Sequence, residues 1–403
     1  MEICPARVYD WDMSKIIRQR FTVSFDFPVV FTRQALSPDN QALAEAVGQG
    51  GPGPHRVGAV IDDGVAKAFP DISRRLALYA AAHAPLMELA GPPLVVPGGE
   101  QAKTGMLVAG EVLEMIHRLG LCRQSYVLAV GGGAVLDAVG FAAATAHRGL
   151  RLIRLPSTVL AQNDAGIGVK NAVNWFGRKN YLGTFAPPFA VINDFALLSG
   201  LPARHKRSGL AEAVKIALIR DREFFDRLYD LRLRLGALEQ GPLEESIERC
   251  AELHLEHIAL GGDPFELGSA RPLDFGHWLA HALEENTGGE LSHGEAVAIG
   301  VGADSVYTWL CGWLEAQDLE RVLTTLAGMG FPLWHPAVAA LDVAQAVESF
   351  REHLGGRLQL SLLNGLGHRR EVDSLDLPRM KQALAWLENH QAARGAPAAQ
   401  TGY

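Results

Sequence analysis

Residues 126–140 read YVLAVGGGAVLDAVG, an apolar run that enters three glycines and continues into a stretch with an apolar helical face. This pattern predicts a strand, a tight turn and a helix. Glycine lets backbone N–H groups approach a pyrophosphate there, and the helix N-terminus favours the anion. The motif is not GxGxxG, so a tight turn without a ligand stays open. Asp137, in the helix, and Asp62, after another apolar run, are candidates for a ribose hydroxyl, although each alone could be a solvated carboxylate.

Other short apolar runs flank this unit and are separated by helical patterns, at residues 21–32, 57–62, 93–99, 150–156 and 189–194. Strands that alternate with helices predict βαβ units and a mostly parallel sheet. After about residue 200, helical spacing dominates, at 209–238, 241–261, 274–287, 293–316, 316–329 and 377–394. We therefore predict an α/β protein with a Rossmann-like domain at 1–200, a mainly helical domain at 201–403 and a disordered tail at 390–403.

The composition excludes several classes of protein. Of 403 residues, 48% are hydrophobic and 20% are charged, which excludes wholesale disorder. The net charge of −8 argues against a general nucleic-acid or anionic-membrane binder. The four cysteines form no CxxC pair, and neither a signal peptide nor an apolar run of about 18 residues is evident. We expect a cytoplasmic protein with a buried active site and no membrane span.

Three segments of the second half carry possible metal ligands. Glu212 lies in GLAEAVK, His277 and His281 lie four apart in LDFGHWLAHALEE, and His293 lies in LSHGEAV. Two imidazoles and one carboxylate leave an open coordination position, which is typical of a catalytic zinc site. The HxxxH spacing lacks the glutamate of HExxH, so a metalloprotease is disfavoured. The chain has 14 histidines, and a surface role for any one of them stays open.

Residues 156–183 read PSTVLAQNDAGIGVKNAVNWFGRKNYLG and place many polar side chains among glycines. Lysine and asparagine together can hold a phosphate and hydroxyls through charge-assisted hydrogen bonds. A solvated loop is the alternative. We favour a functional loop because loops longer than about 15 residues usually serve a site or are disordered.

Six segments together resemble the dehydroquinate synthase superfamily, the sugar phosphate cyclases, over about residues 57–367. They are GGGAVLDAVGFAAATAHRG, LPSTVLAQNDAGIGVKNAVN, GRKNYLGTF, SGLAEAVKIALI, LDFGHWLAHALE and HGEAVAIG. The resemblance implies an N-terminal Rossmann-like NAD-binding domain and a C-terminal helical metal-binding domain. It also implies bound NAD and a divalent metal, zinc with cobalt as an alternative, in a homodimer. The implied reaction is transient oxidation by NAD, phosphate elimination, re-reduction and intramolecular aldol closure.

The same resemblance assigns roles to individual residues. The metal ligands fall on Glu212, His277 and His293. The NAD contacts fall on Asp62, Glu100, Lys103, Gly131, Gly132, Gly133, Asp137, Ser157, Thr158, Lys179 and Leu201. Substrate-site and catalytic positions fall on Asp164, Lys170, Asn180, Lys215 and His281. Arg148 matches an arginine that the family lends to the neighbouring subunit's phosphate.

Departures from the family pattern bear on the substrate. Asp274 replaces the asparagine of the family pattern LNFGHTFGHA. The family has an arginine four residues earlier, where this chain has Ala270, with Arg271 next to it. Glu256 occupies a position where the family has a lysine. A further lysine expected near 351–353 is absent. The lost positive charge disfavours a carboxylate substrate. We therefore predict that sedoheptulose 7-phosphate is converted to a C7 cyclitol of the 2-epi-valiolone type. The pattern LDFGHWxAH most resembles 2-epi-valiolone-type cyclases and the synthase-like protein of ebo clusters.

Three other functions stay open: 3-dehydroquinate synthase, a metal-dependent alcohol or glycerol dehydrogenase, and a non-catalytic cyclase-like binding protein. The dehydrogenase would accumulate NADH and release no phosphate. Under the favoured interpretation the partners are a small-molecule sugar phosphate and a second copy of the chain, with no nucleic acid and no membrane.

Overall fold

A computed structural model describes residues 16–266 and 272–395. Within them, seven strands form one sheet in the order β1-β9-β6-β5-β2-β3, with β4 also paired to β2, and each of these pairings is parallel. The strands are β1 Val29–Thr32, β2 His55–Asp62, β3 Met87–Leu89, β4 Leu94–Val96, β5 Tyr126–Gly131, β6 Arg151–Pro156 and β9 Ala190–Asp194. Strands β7 Lys170–Trp175 and β8 Arg178–Phe185 form a separate antiparallel hairpin.

Helices cover both faces of the sheet, as the apolar runs predict for a buried parallel sheet. They are α1 Ala42–Gly48, α2 Asp63–Ala68, α3 Ile72–Ala82, α4 Leu107–Arg118 and α5 Gly133–Thr145. Leu43, Leu76 and Tyr79 pack in the core on one face. Val112 of α4 and Val139 of α5 belong to the core on the other face. The predicted α/β fold is therefore confirmed.

The apolar run at 21–32 is a strand only over its last four residues. Phe21 and Val23 are exposed, and the Phe25 ring lies tilted by 60° against that of Phe265, with 5.7 Å between the ring centroids. The alternating pattern predicts a strand over the whole run, but residues 21–28 pair with no strand of the described chain.

The predicted loop at 156–183 is instead a π-helical turn, Ala161–Ala165, followed by the β7–β8 hairpin. The fully buried Arg154 on β6 holds this segment. Its Nη1 donates to the carbonyls of Gly166 (3.0 Å) and Gly168 (2.7 Å), and its Nη2 donates to Asn171 Oδ1 (2.7 Å). The loop prediction was wrong because a buried arginine satisfies backbone carbonyls that an exposed loop would leave to water.

From Ala203 the described chain is mainly helical. The helices are α6 Ala203–Arg220, α7 Arg222–Gly236, α8 Gln240–Leu260, α9 His277–Thr287, α10 His293–Leu310, α11 Ala316–Gly328, α12 Pro336–Ala339, α13 Val343–His353 and α14 Leu377–Gly395. A short antiparallel pair joins β10 Leu360–Leu363 to β11 Arg369–Val372. None of the helices in the described ranges is long and apolar enough to cross a membrane.

Three predicted boundaries differ from the structure. The helical pattern at 209–238 is two helices, because Asp221 caps α7 by accepting from the Phe224 N–H (3.0 Å). The pattern at 293–316 ends as a helix at Leu310. Helix α14 continues to Gly395 and so covers the first six residues of the predicted disordered tail, whose residues 396–403 lie outside the described chain.

At two glycines, helix α10 lies directly against the backbone of α6 and of the N-cap of α9. A Cβ on Gly294 would lie 2.1 Å from the Ser208 carbonyl oxygen, and one on Gly300 would lie 2.0 Å from that of Gly276. The buried Asp304 of α10 accepts from the Gly276 N–H (3.0 Å) and from Trp278 Nε1 (2.9 Å). Burial raises the pKa of Asp304 to about 7. These contacts fix the start of α9, where His277 lies.

We expect Asp304→Ala to lower the free energy of unfolding by about 2–5 kcal/mol, because two buried donors would lose their acceptor. Ser305→Ala is the matched control: Ser305 is equally buried, but its hydroxyl donates only within α10, to the Val301 carbonyl (2.7 Å). Denaturant unfolding of both variants checks this expectation. Equal stability of the two would contradict the proposed role of Asp304.

Candidate active site

The carboxyl edge of the sheet forms the first half of the site. From β2 the chain adds β3 and β4 to one side of the sheet, whereas from β5 it adds β6 and β9 to the other side. In open α/β sheets this reversal of strand order opens a crevice that binds ligands. Asp62 ends β2 and Gly131 ends β5 at this place, and a Cβ on Gly131 would lie 3.1 Å from the Asp62 Cβ.

A side chain at any of the three glycines would make tight contacts. Gly132 has an ordinary φ of −75°, but a Cβ there would lie 3.2 Å from Thr158 Cγ2. One on Gly133 would lie 3.1 Å from the Ala165 Cβ. The Ser157 N–H donates to the Gly131 carbonyl (2.9 Å), so the predicted contacts Ser157 and Thr158 border this turn. The backbone is therefore open to a ligand at the N-terminus of α5.

Asp62 has a structural task of its own. Its Oδ1 accepts from the Gly64 N–H (2.7 Å) and so caps α2. Burial raises the pKa of Asp62, and hydrogen bonds from the backbone of Gly64 and Gly132 partly offset that rise. Its predicted role toward a ribose stays a prediction.

Lys103 links predicted cofactor positions to a predicted substrate position. Its Nζ lies 2.6 Å from Asp137 Oδ2 and also donates to Asn180 Oδ1. Burial raises the pKa of Asp137, although Lys103 opposes the rise. Asn174 on the hairpin makes two further bonds: its Nδ2 donates to Glu100 Oε1 (2.8 Å), and its Oδ1 accepts from the Asn180 N–H (2.8 Å). The hairpin is therefore tied to the crevice at the glycine turn.

Glu212, His277 and His293 come together from three helices, α6, α9 and α10. Candidate ligand atoms of the three residues all lie within 4.8 Å of one another. Glu212 Oε1 lies 3.6 Å from His277 Nε2 and 3.3 Å from His293 Nε2. Tetrahedral zinc bonds of about 2.0–2.2 Å would place ligand atoms about 3.3–3.6 Å apart. The two separations from Glu212 thus match those of tetrahedral zinc ligands, and the three residues could hold a metal ion.

The electrostatics of the three ligands differ. Burial, with repulsion from Lys215, lowers the pKa of His277, which favours the neutral imidazole that binds a metal. Burial also opposes a charged His293, but hydrogen bonds to Glu212 and Glu284 outweigh it and raise its pKa to about 10. Burial disfavours the Glu212 carboxylate, yet attraction to Lys215 and the histidines holds its pKa well below the usual value.

Asp164 lies beside this cluster, on the π-helical turn. Lys215 Nζ donates to Glu212, and its positive charge also attracts the Asp164 carboxylate. The Asp164 Oδ1 lies 3.0 Å from His254 Nδ1 on α8, and this attraction outweighs burial and lowers the pKa of Asp164. The sequence prediction missed His254, which no motif marks. Glu256, also on α8, is exposed, and its predicted effect on the charge of the pocket stays a prediction.

Glu284 is a second residue that the sequence prediction missed. It lies 3.3 Å from His293 Nδ1 and 3.4 Å from Lys179 Nζ, so it orients His293 and connects it to the hairpin.

His281, one turn after His277, has its ring centroid 5.5 Å from that of His277. Burial and repulsion from His277 lower the pKa of His281 to about 3, so its imidazole is neutral near pH 7.

The remaining predicted residues are less closely grouped. Lys170, whose side chain is 60% exposed, pairs with Glu266 at 2.5 Å. Asp274 is near enough to Lys215 and His277 to stabilise their charged forms. Leu201 follows a 3₁₀ turn and packs against the helical core.

Arg148 is the predicted residue that lies apart from the others. It is exposed beyond the C-terminus of α5, whereas the glycine turn lies at the N-terminus of that helix, about 20 Å away for 13 residues. Ala270 and Arg271 lie outside the described residues, so the structure does not bear on their predicted effect.

Comparisons with known proteins agree with this geometry. The family models for the N-terminal and C-terminal parts of 3-dehydroquinate synthase match residues 93–208 and 209–353. A 3-dehydroquinate synthase of Xylella fastidiosa is 35% identical over 72% of this chain and 80% of its own. A 2-epi-5-epi-valiolone synthase of Streptomyces glaucescens is 37% identical over 70% of this chain and 72% of its own.

A solved structure extends the likeness to nearly the whole chain. It is ValA, the 2-epi-5-epi-valiolone synthase of Streptomyces hygroscopicus subsp. jinggangensis, with NAD⁺ and Zn²⁺ bound. The two share 31% identity with a TM-score of 0.82, over 93% of this chain and all of that one. The chain therefore belongs to the 3-dehydroquinate synthase family, the sugar phosphate cyclases, whose members are lyases.

Proposed function

We propose that the protein uses NAD and a divalent metal to convert sedoheptulose 7-phosphate to a C7 cyclitol of the 2-epi-valiolone type. The observation that carries this choice is that each predicted site lysine has a carboxylate partner. Lys103 pairs with Asp137, Lys170 with Glu266, Lys179 with Glu284 and Lys215 with Glu212. A substrate carboxylate would compete with these partners for each cation, whereas a neutral ketose head would not.

The metal would be held by Glu212, His277 and His293. Glu212 Oε1 is buried, and its contacts with His293 Nε2 (3.3 Å) and His277 Nε2 (3.6 Å) are longer than a typical hydrogen bond. A cation bound between these atoms would satisfy the buried oxygen more fully. The donor set of two imidazoles and one carboxylate suits zinc, with cobalt as the alternative. When bound, the metal would supply a Lewis acid for a substrate oxygen.

NAD would lie in the crevice at the carboxyl edge, with its pyrophosphate on the turn Gly131–Gly133. It would supply reversible hydride acceptance. Asp62, Glu100, Lys103, Asp137, Ser157, Thr158, Lys179 and Leu201 are the further contacts that we propose. The bridge from Lys103 to Asn180 supports this placement, because it brings the cofactor crevice next to the substrate residues.

The chain's own residues would bind and orient the sugar phosphate. Asp164 would accept hydrogen bonds from hydroxyls, and Asn180 and Lys170 would contact the phosphate. His281 would act as a neutral hydrogen-bond partner. Lys215 would keep Glu212 ionised and Asp164 charged, which preserves both the metal ligand and the hydroxyl acceptor.

We further propose that the protein acts as a homodimer in which Arg148 reaches the neighbouring subunit's phosphate. The exposed position of Arg148, far from the glycine turn of its own chain, supports this arrangement.

A 3-dehydroquinate synthase activity is the second candidate, favoured by the 35% identity to such enzymes. The substrate comparison below distinguishes the two.

The metal assignment predicts that His277→Ala loses most bound zinc and activity. His55→Ala is the matched control, because His55 is about equally buried but lies at the start of β2, away from the carboxyl edge. Metal analysis of both purified variants checks the prediction. Full zinc retention by His277→Ala would refute the assignment.

Zinc uptake should also release about one proton near pH 8. The pKa of about 10 for metal-free His293 means that it is protonated there and must lose that proton to bind zinc. Calorimetry in two buffers of different ionisation enthalpy measures this release. Zinc uptake without release of a proton would contradict a protonated His293 in the metal-free site, and the zinc content of His293→Ala tests ligation directly.

The cofactor assignment predicts that Gly132→Ala weakens NAD binding. The added Cβ would keep the pyrophosphate from the backbone of the turn, and loss of one charge-assisted hydrogen bond, about 1.5–3 kcal/mol, corresponds to about tenfold to a hundredfold in affinity. Gly110→Ala is the control, because a Cβ there meets no atom within 4 Å. Fluorescence titration with NADH measures both. In turnover, NADH that accumulates with product would instead support the dehydrogenase alternative.

The charge argument predicts that sedoheptulose 7-phosphate is preferred over the carboxylate-bearing heptulosonate substrate of 3-dehydroquinate synthase. A missing charge-assisted pair corresponds to about tenfold to a hundredfold in kcat/KM. Asp274→Asn and Glu256→Lys, which remove negative charge that we assign to the pocket, should each narrow this preference for the sedoheptulose ester. Phosphate release and product NMR provide the measurement. Efficient formation of dehydroquinate with the sedoheptulose ester untouched would overturn the substrate proposal.

A further inference from the structure

The π-helical turn that carries Asp164 is anchored on two sides. Asn163 Nδ2 donates to the Gly209 carbonyl of α6 (2.8 Å). On the other side, Cys250 Sγ of α8 contacts the Asn163 carbonyl oxygen at 3.7 Å. One helical turn further along α8, His254 Nδ1 lies 3.0 Å from Asp164 Oδ1.

The contact between His254 and Asp164 is therefore part of a docked helix face. Residues four apart on a helix lie on the same side, so Cys250 and His254 meet consecutive residues of the turn together. Both side chains of the pair are largely buried, His254 at 15% exposure and Asp164 at 26%. A buried pair of this kind holds its geometry better than an exposed one, because water competes less for each group.

We propose that His254 is a positioning residue, which orients Asp164 to receive the hydroxyls of a polyhydroxylated sugar phosphate. This inference rests on the proposed function and deepens it. When Nδ1 donates to Oδ1, the carboxylate plane is fixed, and Oδ2 can accept a substrate hydroxyl. Lys215 attracts the same carboxylate from α6, the helix that carries the metal ligand Glu212. The orientation of the hydroxyl acceptor is thereby set relative to the metal.

The test uses His254→Ala, His254→Asn, Asp164→Asn and the double variant Asp164→Asn/His254→Ala, each loaded with zinc and NAD. Asparagine is the conservative replacement, because its Nδ2 occupies nearly the place of histidine Nδ1. The control is His257→Ala on the same helix, since the His257 ring contacts Arg220 Nη1 at 2.9 Å. Phosphate release from sedoheptulose 7-phosphate gives kcat and KM, while zinc content and NADH affinity report the rest of the site.

We expect His254→Ala to lower kcat/KM by about tenfold to a hundredfold, the range for loss of a charge-assisted hydrogen bond. Zinc content and NADH affinity should stay unchanged. His254→Asn should restore kcat/KM to within about fivefold of the wild type, and His257→Ala should stay within about twofold. The double variant should be no worse than Asp164→Asn alone, because the two residues act as one unit.

Wild-type kinetics in His254→Ala, or additive losses in the double variant, would overturn the inference and leave the proposed function intact. If His254→Ala does not fold, His254→Asn decides, and a loss as large as that of Asp164→Asn would overturn the inference. If the wild type releases phosphate from no sugar phosphate, the proposed function fails and the inference fails with it.

Discussion

The buried carboxylate of Glu212 is the constraint on which the site depends. It is 2% exposed, and an isolated ion in that position would be too costly to keep. Lys215, His277 and His293 surround it with positive charge or hydrogen-bond donors. Other residues hold each of these partners in place. Glu284 contacts His293, Asp304 fixes the start of the helix that carries His277, and Asp164 attracts Lys215. Helices α6, α9 and α10 are therefore arranged around one negative charge.

The sheet and the helices contribute different parts of the chemistry. The sheet edge offers glycine backbone to an anion, and the helical half offers side chains to a cation. The β7–β8 hairpin connects them, because Lys103 donates to Asn180 at one place and Lys179 faces Glu284 at another. Arg154 makes this hairpin possible, since it satisfies carbonyls on the segment between the sheet and the hairpin.

Much of this architecture could be predicted from local patterns. The runs at 57–62 and 126–131 are almost entirely apolar, so their strands could be predicted, and family motifs pointed to Glu212, His277 and His293. The patterns could not show contacts between distant segments. His254 has no neighbouring motif and meets Asp164 only because α8 docks on the turn that carries it. Counting along the chain does not reveal which face of a helix meets the site.

The closeness of α10 to its neighbours limits how members of such a family can diversify. Where Gly294 meets Ser208 and Gly300 meets Gly276, backbone touches backbone, so a larger residue would separate the helices and spread the ligands. Gly276 also has a φ of 78°, a conformation that other residues adopt at a cost. Substitution is therefore less costly in side chains near the candidate metal ligands, such as Asp274, than at these glycines. Side chains around the candidate site can change while the backbone contacts of α10 stay the same.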